Sequence, residues 1–196
     1  MIDNACLGYS PHVELAKAAI RAYVERGEIL EITANGTIAC DSADYDFVAL
    51  LNERAGAFVS IKKLGALRGC IGTIAPACSN LAKEIIANAI SACSCDPRFP
   101  PVASDELRDL TVSVDVLDKA TPVDSISELD VKRYGVIVSK GFRRGLLLPN
   151  LEGVDTVAEQ LHIALSKAGI HPSEHYDIER FEVVRHELGG YMGVCS

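Results

Sequence analysis

The sequence predicts an α+β fold made of two β-hairpin–helix–strand units that share one core. Short runs of apolar residues alternate with polar ones, as in half-buried strands, and longer stretches carry apolar residues at helical spacing. The same order of elements then occurs twice, with Arg68-Gly69 in the first unit and Arg144-Gly145 at the matching point of the second. This order indicates an internal duplication within a single domain over residues 1–196, with units at about 57–117 and 134–187.

A helix precedes the first unit. Ser10 can cap this helix, Pro11 suits its first position, and Gly27 suits the position just past its end. A short strand is expected at about residues 29–33, and the Asn35-Gly36 turn can lead into another strand.

The first unit begins with a hairpin over residues 58–74, whose two strands meet at Leu64-Gly65. Ser79 can cap the helix that follows, and Pro97 ends it because proline disfavours helix in the residue before it. Alternating valines in residues 110–117 predict a strand with one buried face.

The second unit repeats this order. Residues 135–149 predict a hairpin around Lys140-Gly141. Thr156 and Glu159 form a capping box for the next helix, and Gly169 suits the position after its end. A single strand is expected over residues 178–187.

The composition is that of a globular protein and excludes several classes of function. Of 196 residues, 48% are hydrophobic, and 19 Lys and Arg against 27 Asp and Glu give a net charge of −8. This acidic balance disfavours broad binding to nucleic-acid phosphates. No apolar run reaches the roughly 18 residues that cross a bilayer, and the N-terminus lacks the basic and apolar stretches of a signal peptide. We therefore expect a cytoplasmic protein whose cysteines are reduced thiols.

The residues from Arg68 to Thr73 hold the densest chemical signal. Residues two apart on a strand share a face, so Arg68 lies on the same face as Cys70. A guanidinium near the sulfur favours the thiolate, and Gly69 and Gly72 can leave backbone N–H groups free to face a ligand. Cys70 is thus a candidate nucleophile and Arg68 a candidate anion anchor. The alternative is an inert, buried cysteine in a closely packed strand.

Two further groups are candidate binding residues. Asp96 could orient Arg98 in the same site as Cys70, although the sequence favours a helix stop with a structural Asp–Arg contact. Arg143 and Arg144 could bind a phosphate or carboxylate, or could lie at a solvated hairpin end.

No metal or cofactor is expected from the motifs in the chain. Cys93 and Cys95 form a C-x-C pair without a second ligand pair at zinc-site spacing, and nucleotide-binding glycine motifs are lacking. A nucleophilic cysteine often needs a nearby base, and His162 or His186 could supply one.

The run LRGCIGT, residues 67–73, closely resembles the signature of the AMMECR domain family, named after the human AMME chromosomal region gene product. The resemblance continues through DPRFPPV, SVDVL, FRRGLLLPN, SKAGI and IERFEV, and it covers about residues 10 to 187. It implies an α+β fold with a larger and a smaller subdomain around a cleft near the signature strand. It also implies a functional role for a run of signature residues: Arg68, Gly69, Cys70, Ile71, Gly72 and Thr73.

The same resemblance bears on partners and activity. In prokaryotes such proteins are component A of AmmeMemoRadiSam systems, beside a Memo-like protein and a radical SAM protein, and the family has no established reaction. Many relatives carry a tryptophan after the KAG turn, where this chain has Tyr176.

Two hypotheses of different class follow from these observations. In the first, Cys70 is a nucleophile or redox thiol, Arg68 stabilises the thiolate or a small anionic ligand, and the reaction is group transfer or modification. In the second, the RGCIGT strand is a recognition surface of a non-catalytic scaffold for the partner proteins. The sequence leaves the question of enzymatic activity, and the oligomeric state, open.

Overall fold

A computed structural model describes residues 10–38 and 47–187 of the chain. The described residues fall into two units. The first, larger unit runs to Val116 and takes in the described residues from Arg185 onward, and the second comprises Leu117–Val184. Both units combine helices with antiparallel sheets, so the predicted α+β class is confirmed.

Helices and strands are numbered in chain order. The helices are α1 (Pro11–Arg26), α2 (Val48–Leu51), α3 (Leu81–Ser94) and α4 (Val157–Ala168). The strands are β1 (Ala57–Lys63), β2 (Ala66–Gly72), β3 (Leu110–Leu117), β4 (Thr121–Pro122), β5 (Gly135–Lys140), β6 (Arg143–Leu147), β7 (Asp177–Phe181) and β8 (Val183–Glu187). Short 3-10 turns at Ser104–Asp109 and Ile126–Glu128 complete the described elements.

The first unit holds a sheet of order β2-β1-β3-β8. Leu64 and Gly65 connect β1 to β2 with φ angles of 50° and 86°, the positive values that a tight hairpin turn requires. One face of the sheet is apolar and buried against α1 and α3, with Val59, Ile61 and Val114 all fully buried. Because strand residues alternate between faces, the other face carries the polar residues of the same strands, together with Phe58.

The second unit holds a sheet of order β4-β7-β5-β6, with a separate core between this sheet and α4. The prediction that the two units share one core is therefore wrong. Val136 and Val138 of β5 supply the sheet side of that core, and Leu161 and Leu165 supply the helix side. In both units a hairpin is followed by a helix and then by a strand that pairs with the first hairpin strand.

In each unit, a glycine of the second hairpin strand lies directly against the helix. A Cβ atom on Gly69 would lie 2.2 Å from the carbonyl oxygen of Ala92 in α3, and one on Gly145 would lie 2.1 Å from that of Ala164 in α4. The second hairpin strand of each unit therefore approaches its helix more closely than any other residue type permits. The internal duplication itself stays a prediction.

The helix ends follow the sequence in most details. Gly27 and Gly169 adopt the left-handed conformation after α1 and α4, and the Thr156–Glu159 capping box is present, as predicted. The predicted cap of α3 is wrong by one residue. Asn80, not Ser79, has an extended backbone, and its side chain accepts a hydrogen bond from the N–H of Lys83. Ser10 precedes α1 but makes no capping hydrogen bond through its side chain.

Two strand predictions need correction. The strand expected over residues 178–187 breaks at Glu182, whose carbonyl accepts a hydrogen bond from the N–H of Asp118 instead of a sheet partner. The chain thus leaves the second sheet as β7 and enters the first as β8. Instead of a strand at 29–33, the structure has a single bridge between Ile32 and Ile38.

Candidate functional site

Cys70 lies near the middle of β2, the edge strand of the first sheet, opposite Ser60 of β1. Its backbone groups face away from β1. The N–H donates to Oδ2 of Asp96 at 2.8 Å, and the carbonyl oxygen accepts from Nη2 of Arg98 at 3.3 Å. The sheet edge at Cys70 is therefore closed by two side chains from the loop that follows α3.

Asp96 is the centre of this arrangement. Its carboxylate is almost fully buried and accepts four hydrogen bonds, one from Cys70 and three from the backbone and guanidinium of Arg98. The hydrogen bonds from Arg98 hold the pKa of Asp96 well below its usual range, against the opposing effect of burial. Asp96 is thus ionised at any physiological pH, and it fixes both Cys70 and Arg98.

The thiol of Cys70 is partly exposed on the polar face of the first sheet. Its Sγ lies 3.2 Å from Oγ of Ser60, which donates a hydrogen bond to it. Arg98 and Arg185 are near enough for the negative form of Cys70 to raise the pKa of each guanidinium, in addition to the larger effect of the aspartate that each arginine binds. Cys70 therefore lies near two arginines, each of which is paired with a buried aspartate.

Arg185 is held by a second buried aspartate. Its Nε and Nη2 donate to the two carboxylate oxygens of Asp115 at 2.7 and 2.9 Å. Asp115 lies on β3, two residues from Ser113, and Ser113 pairs with Ser60. Since residues two apart share a face, Asp115, Ser113, Ser60 and Cys70 lie on the same polar face of the sheet.

Arg68 is engaged away from the thiol. Its guanidinium donates to both carboxylate oxygens of Glu106 and to the carbonyl oxygens of Pro100 and Pro101. The Arg68 hydrogen bond is the main reason that the pKa of Glu106 falls to about 2. Arg68 thus ties β2 to the 3-10 turn before β3 and to the proline loop, instead of presenting its charge to Cys70.

The rest of the signature packs inward or against the sheet. Ile71 packs on the first core, and a Cβ on Gly72 would collide with the ring of Phe58. The Thr73 hydroxyl donates to the buried carboxylate of Glu84 and accepts from the side chain of Asn88. These contacts are structural and set the course of the loop between β2 and α3.

The AMMECR1 family model matches residues 13–186 of the chain. The chain belongs to the AMMECR1 family. A protein from Thermotoga maritima is 52% identical over 184 residues, which cover 92% of this chain and 99% of that protein. A protein from Clostridium acetobutylicum is 50% identical over 177 residues, but these cover 90% of this chain and 36% of that longer protein.

A solved structure has the same fold. The crystal structure of an uncharacterised protein from Pyrococcus horikoshii matches with a TM-score of 0.73 and 32% identity, over 89% of this chain and 88% of that one. The resemblance stated from the RGCIGT run is thus confirmed, as AMMECR1 membership across nearly the whole chain. The names of these relatives specify no reaction.

In this AMMECR1 protein, the two arginines predicted as binding residues of the second unit form ion pairs with glutamates of that unit. Arg143 donates to Glu174 and to the carbonyl oxygen of Gly169, and Arg144 donates to Glu179. Arg143 is the main cause of the lowered pKa of Glu174. Both arginines serve contacts within their own unit.

Among the described residues, no contact places either candidate base, His162 or His186, beside the thiol of Cys70. His186 stacks on His12 of α1, with ring centroids 3.6 Å apart. Because it follows Arg185 on β8, its side chain points to the opposite face of the sheet from Arg185. His162 is exposed on α4, in the second unit.

Sequence reasoning missed Ser60, Asp115 and Arg185 as neighbours of the thiol. A charged residue within an otherwise alternating valine strand was a signal for Asp115, but its partner on β8 could only be found from the sheet order. Within the described ranges, no three His, Cys, Asp or Glu side chains are grouped closely enough to hold a metal ion. No described helix has the length and apolarity of a membrane span.

Proposed function

We propose that Cys70 is the reactive thiol of a cysteine-dependent group-transfer or modification site on the polar face of the first sheet, in a cytoplasmic protein. The observation that carries the proposal is the environment of its sulfur. The thiol is partly exposed, accepts a hydrogen bond from Ser60, and lies near the guanidinium groups of Arg98 and Arg185. Accessible cysteines beside cationic side chains are candidates for nucleophilic catalysis.

In the proposed step, Sγ of Cys70 forms a bond to an electrophilic carbon of the substrate. The bond from that carbon to its leaving group breaks, and the leaving group takes the electron pair and the proton that the thiol has lost. Asp96 fixes the strand position of the nucleophile through the backbone N–H. The positive charge beside the thiol, which the sequence analysis expected from Arg68, is supplied in this proposal by Arg98 and Arg185. Arg68 acts as a positioning residue for β2.

The proposal is tested by one equivalent of iodoacetamide at pH 7, with the label on each cysteine measured by peptide mass spectrometry. Cys95 is exposed and is the internal reference, and Cys93, with a pKa raised by burial to about 11, is the unreactive control. We expect Cys70 to react about tenfold faster than Cys95. A Cys70 rate below that of Cys95 would refute the proposal.

A second candidate function is a non-catalytic scaffold for Memo-like and radical SAM partners, which the family resemblance implies. One observation favours it: both backbone groups of Cys70 are used to close the edge of β2, so the signature also has a purely architectural explanation. The longer Clostridium relative is consistent with a domain that works beside other protein segments.

The two candidates differ in what Cys70→Ser removes. Under the reactive-thiol proposal this variant loses labelling and any transferase activity but still binds partners. Under the scaffold proposal it is silent, whereas Arg68→Ala, which frees β2 from Glu106, weakens co-purification with the Memo-like and radical SAM proteins. Co-expression with these two proteins and a comparison of both variants separates the alternatives.

A further inference from the structure

We infer that the stacked imidazole rings of His12 and His186 form an acid-sensitive contact. The contact holds β8 on α1 while both rings are neutral, and it releases β8 when the rings take up protons. The geometry of the stack, the weak attachment of β8 elsewhere and the charged groups around the two rings support this role. The stack works in this way whether or not Cys70 is reactive.

The stack joins the first helix to the last strand of the first sheet. His12 is the second residue of α1, and His186 is the fourth residue of β8. Their ring centroids lie 3.6 Å apart, and the ring planes are within 12° of parallel. Two rings at this distance are in van der Waals contact face to face, so the contact depends on both side chains.

The strand β8 is otherwise weakly attached. It is an edge strand, with β3 as its neighbour in the sheet. Three of its five residues are exposed, and the other two, one of them His186, are half-buried. Edge segments with little buried side-chain surface open locally at a low cost in free energy. Because Arg185 precedes His186 on β8, release of the strand also withdraws the Arg185 guanidinium from Asp115.

The stack has no ready place for a second proton. Nδ1 of His12 is closed off from solvent and has no hydrogen-bond partner among the residues that the structure describes. When Nε2 carries the proton of the neutral ring, a proton on Nδ1 creates a buried N–H without an acceptor. Burial, followed by the charge of His186, lowers the pKa of His12 to about 4, and burial also lowers the pKa of His186. Both rings are therefore neutral at pH 7.

Two carboxylates face His186 and oppose the effect of burial. Glu53, which follows α2, and Asp115 of β3 favour the protonated form of His186, but each changes its pKa less than burial does. The charge that acts on His12 is that of His186. On acidification His186 therefore takes the first proton, and the second must go to a ring 3.6 Å from a positive one. Two imidazolium rings at that distance repel each other, so the second proton breaks the stack.

Release of β8 is thus linked to proton uptake. Once the strand leaves α1, both histidines return to the ordinary imidazole pKa of about 6.5. The open form binds protons that the stacked form excludes, so acidification shifts the equilibrium toward the open form. The stack stabilises β8 fully above about pH 6.5, and this stabilisation is lost as pH falls toward 4. The losses expected from Asp96 and Glu106 begin only below about pH 4.

Hydrogen exchange followed by mass spectrometry measures the opening of β8. Protection factors, corrected for the intrinsic pH dependence of exchange, are compared between pH 7 and about pH 4.5 for peptides that cover residues 183–187. Peptides from α4 are the internal reference for global unfolding. We expect the protection of β8 to fall at least about tenfold at the lower pH while that of α4 changes little. Equal protection of β8 at both pH values would overturn the inference.

The variant His12→Phe keeps an aromatic ring against His186 but cannot take the second proton. We expect β8 of this variant to keep its protection at about pH 4.5. His162→Gln is the control, since His162 is exposed on α4 and its loss should leave the wild-type pH dependence unchanged. If β8 of His12→Phe loses protection as the wild type does, the stack is not the acid-sensitive contact.

Proton NMR of the imidazole C2–H signals tests the wild-type protein without relying on the stability of any variant. We expect His12 to titrate near pH 4, well below the ordinary imidazole value of about 6.5. If His12 and His186 both titrate near pH 6.5, the stack does not exclude protons and the inference fails. None of these measurements involves the thiol of Cys70, so the inference and the proposed function can fail separately.

Discussion

Replacing Asp96 by asparagine removes the charge that fixes both Cys70 and Arg98 while preserving the shape of the side chain. In the native protein, Oδ1 accepts from the backbone N–H and Nε of Arg98, and Oδ2 accepts from Cys70 and from Nη2 of Arg98. The asparagine amide has one acceptor oxygen, so its NH₂ group faces the two donors that the other carboxylate oxygen binds in the native protein, and it cannot accept from them. Two charge-assisted hydrogen bonds are lost at about 1.5 kcal/mol each, which gives a destabilisation of about 3 kcal/mol.

The matched control is Asp115→Asn. Asp115 is equally buried, but both of its hydrogen bonds come from the side chain of Arg185, which is partly exposed and can turn to solvent. The N–H of Cys70 cannot do so without leaving the sheet edge. We therefore expect Asp115→Asn to cost about half as much as Asp96→Asn.

Urea denaturation at pH 7, followed by circular dichroism, measures both variants against the wild type. The expected order is wild type, then Asp115→Asn, then Asp96→Asn as the least stable. A loss of less than about 1 kcal/mol for Asp96→Asn would refute the argument that Asp96 fixes Cys70, because one hydrogen bond alone is worth that much. So would a cost no larger than that of Asp115→Asn.

Three other predictions follow from the fold. Gly69→Ala and Gly145→Ala should each destabilise the protein by about 3 kcal/mol in urea titrations, since the new Cβ meets a helix carbonyl. Thr156→Ala should cost about 1 kcal/mol in the same assay by removing the cap of α4, and Thr156→Ser should restore it. Folded-state pKa values of Asp96 and Glu106 lie below their unfolded values, so their stabilisation is present above about pH 4 and is lost as pH falls toward 2. The urea midpoint should therefore drop between these pH values, and less steeply in Glu106→Gln; equal pH dependence in the two proteins would contradict the assignment.

Local features were predictable because they depend on neighbours in sequence. Leu64-Gly65 at the first hairpin turn, the capping box at Thr156 and the glycine after α4 follow from backbone preferences of the residues themselves. The α+β class followed from the same local periodicities.

The environment of Cys70 was only half predictable. The strand period correctly placed Arg68 and Cys70 on one strand, but it did not predict the direction of the Arg68 guanidinium. Glu106 and the proline loop, more than thirty residues away in sequence, determine that direction. Arg185 was missed for a related reason. It reaches the polar face only because the strand pairing is interrupted at Glu182 and the chain then joins the first sheet as β8. Long-range strand pairing, and not the local sequence, determines this course.

The most direct test of the central claim is the effect of folding on a single thiol. The second-order rate constant of Cys70 with iodoacetamide is measured at pH 7 in the native protein and again in urea, with Cys95 followed in the same samples to correct for solvent. If the contacts of Ser60, Arg98 and Arg185 activate the sulfur, the native rate exceeds the unfolded rate at Cys70 while Cys95 changes little. If Cys70 reacts only after unfolding, the thiol is a packing residue and the claim is wrong.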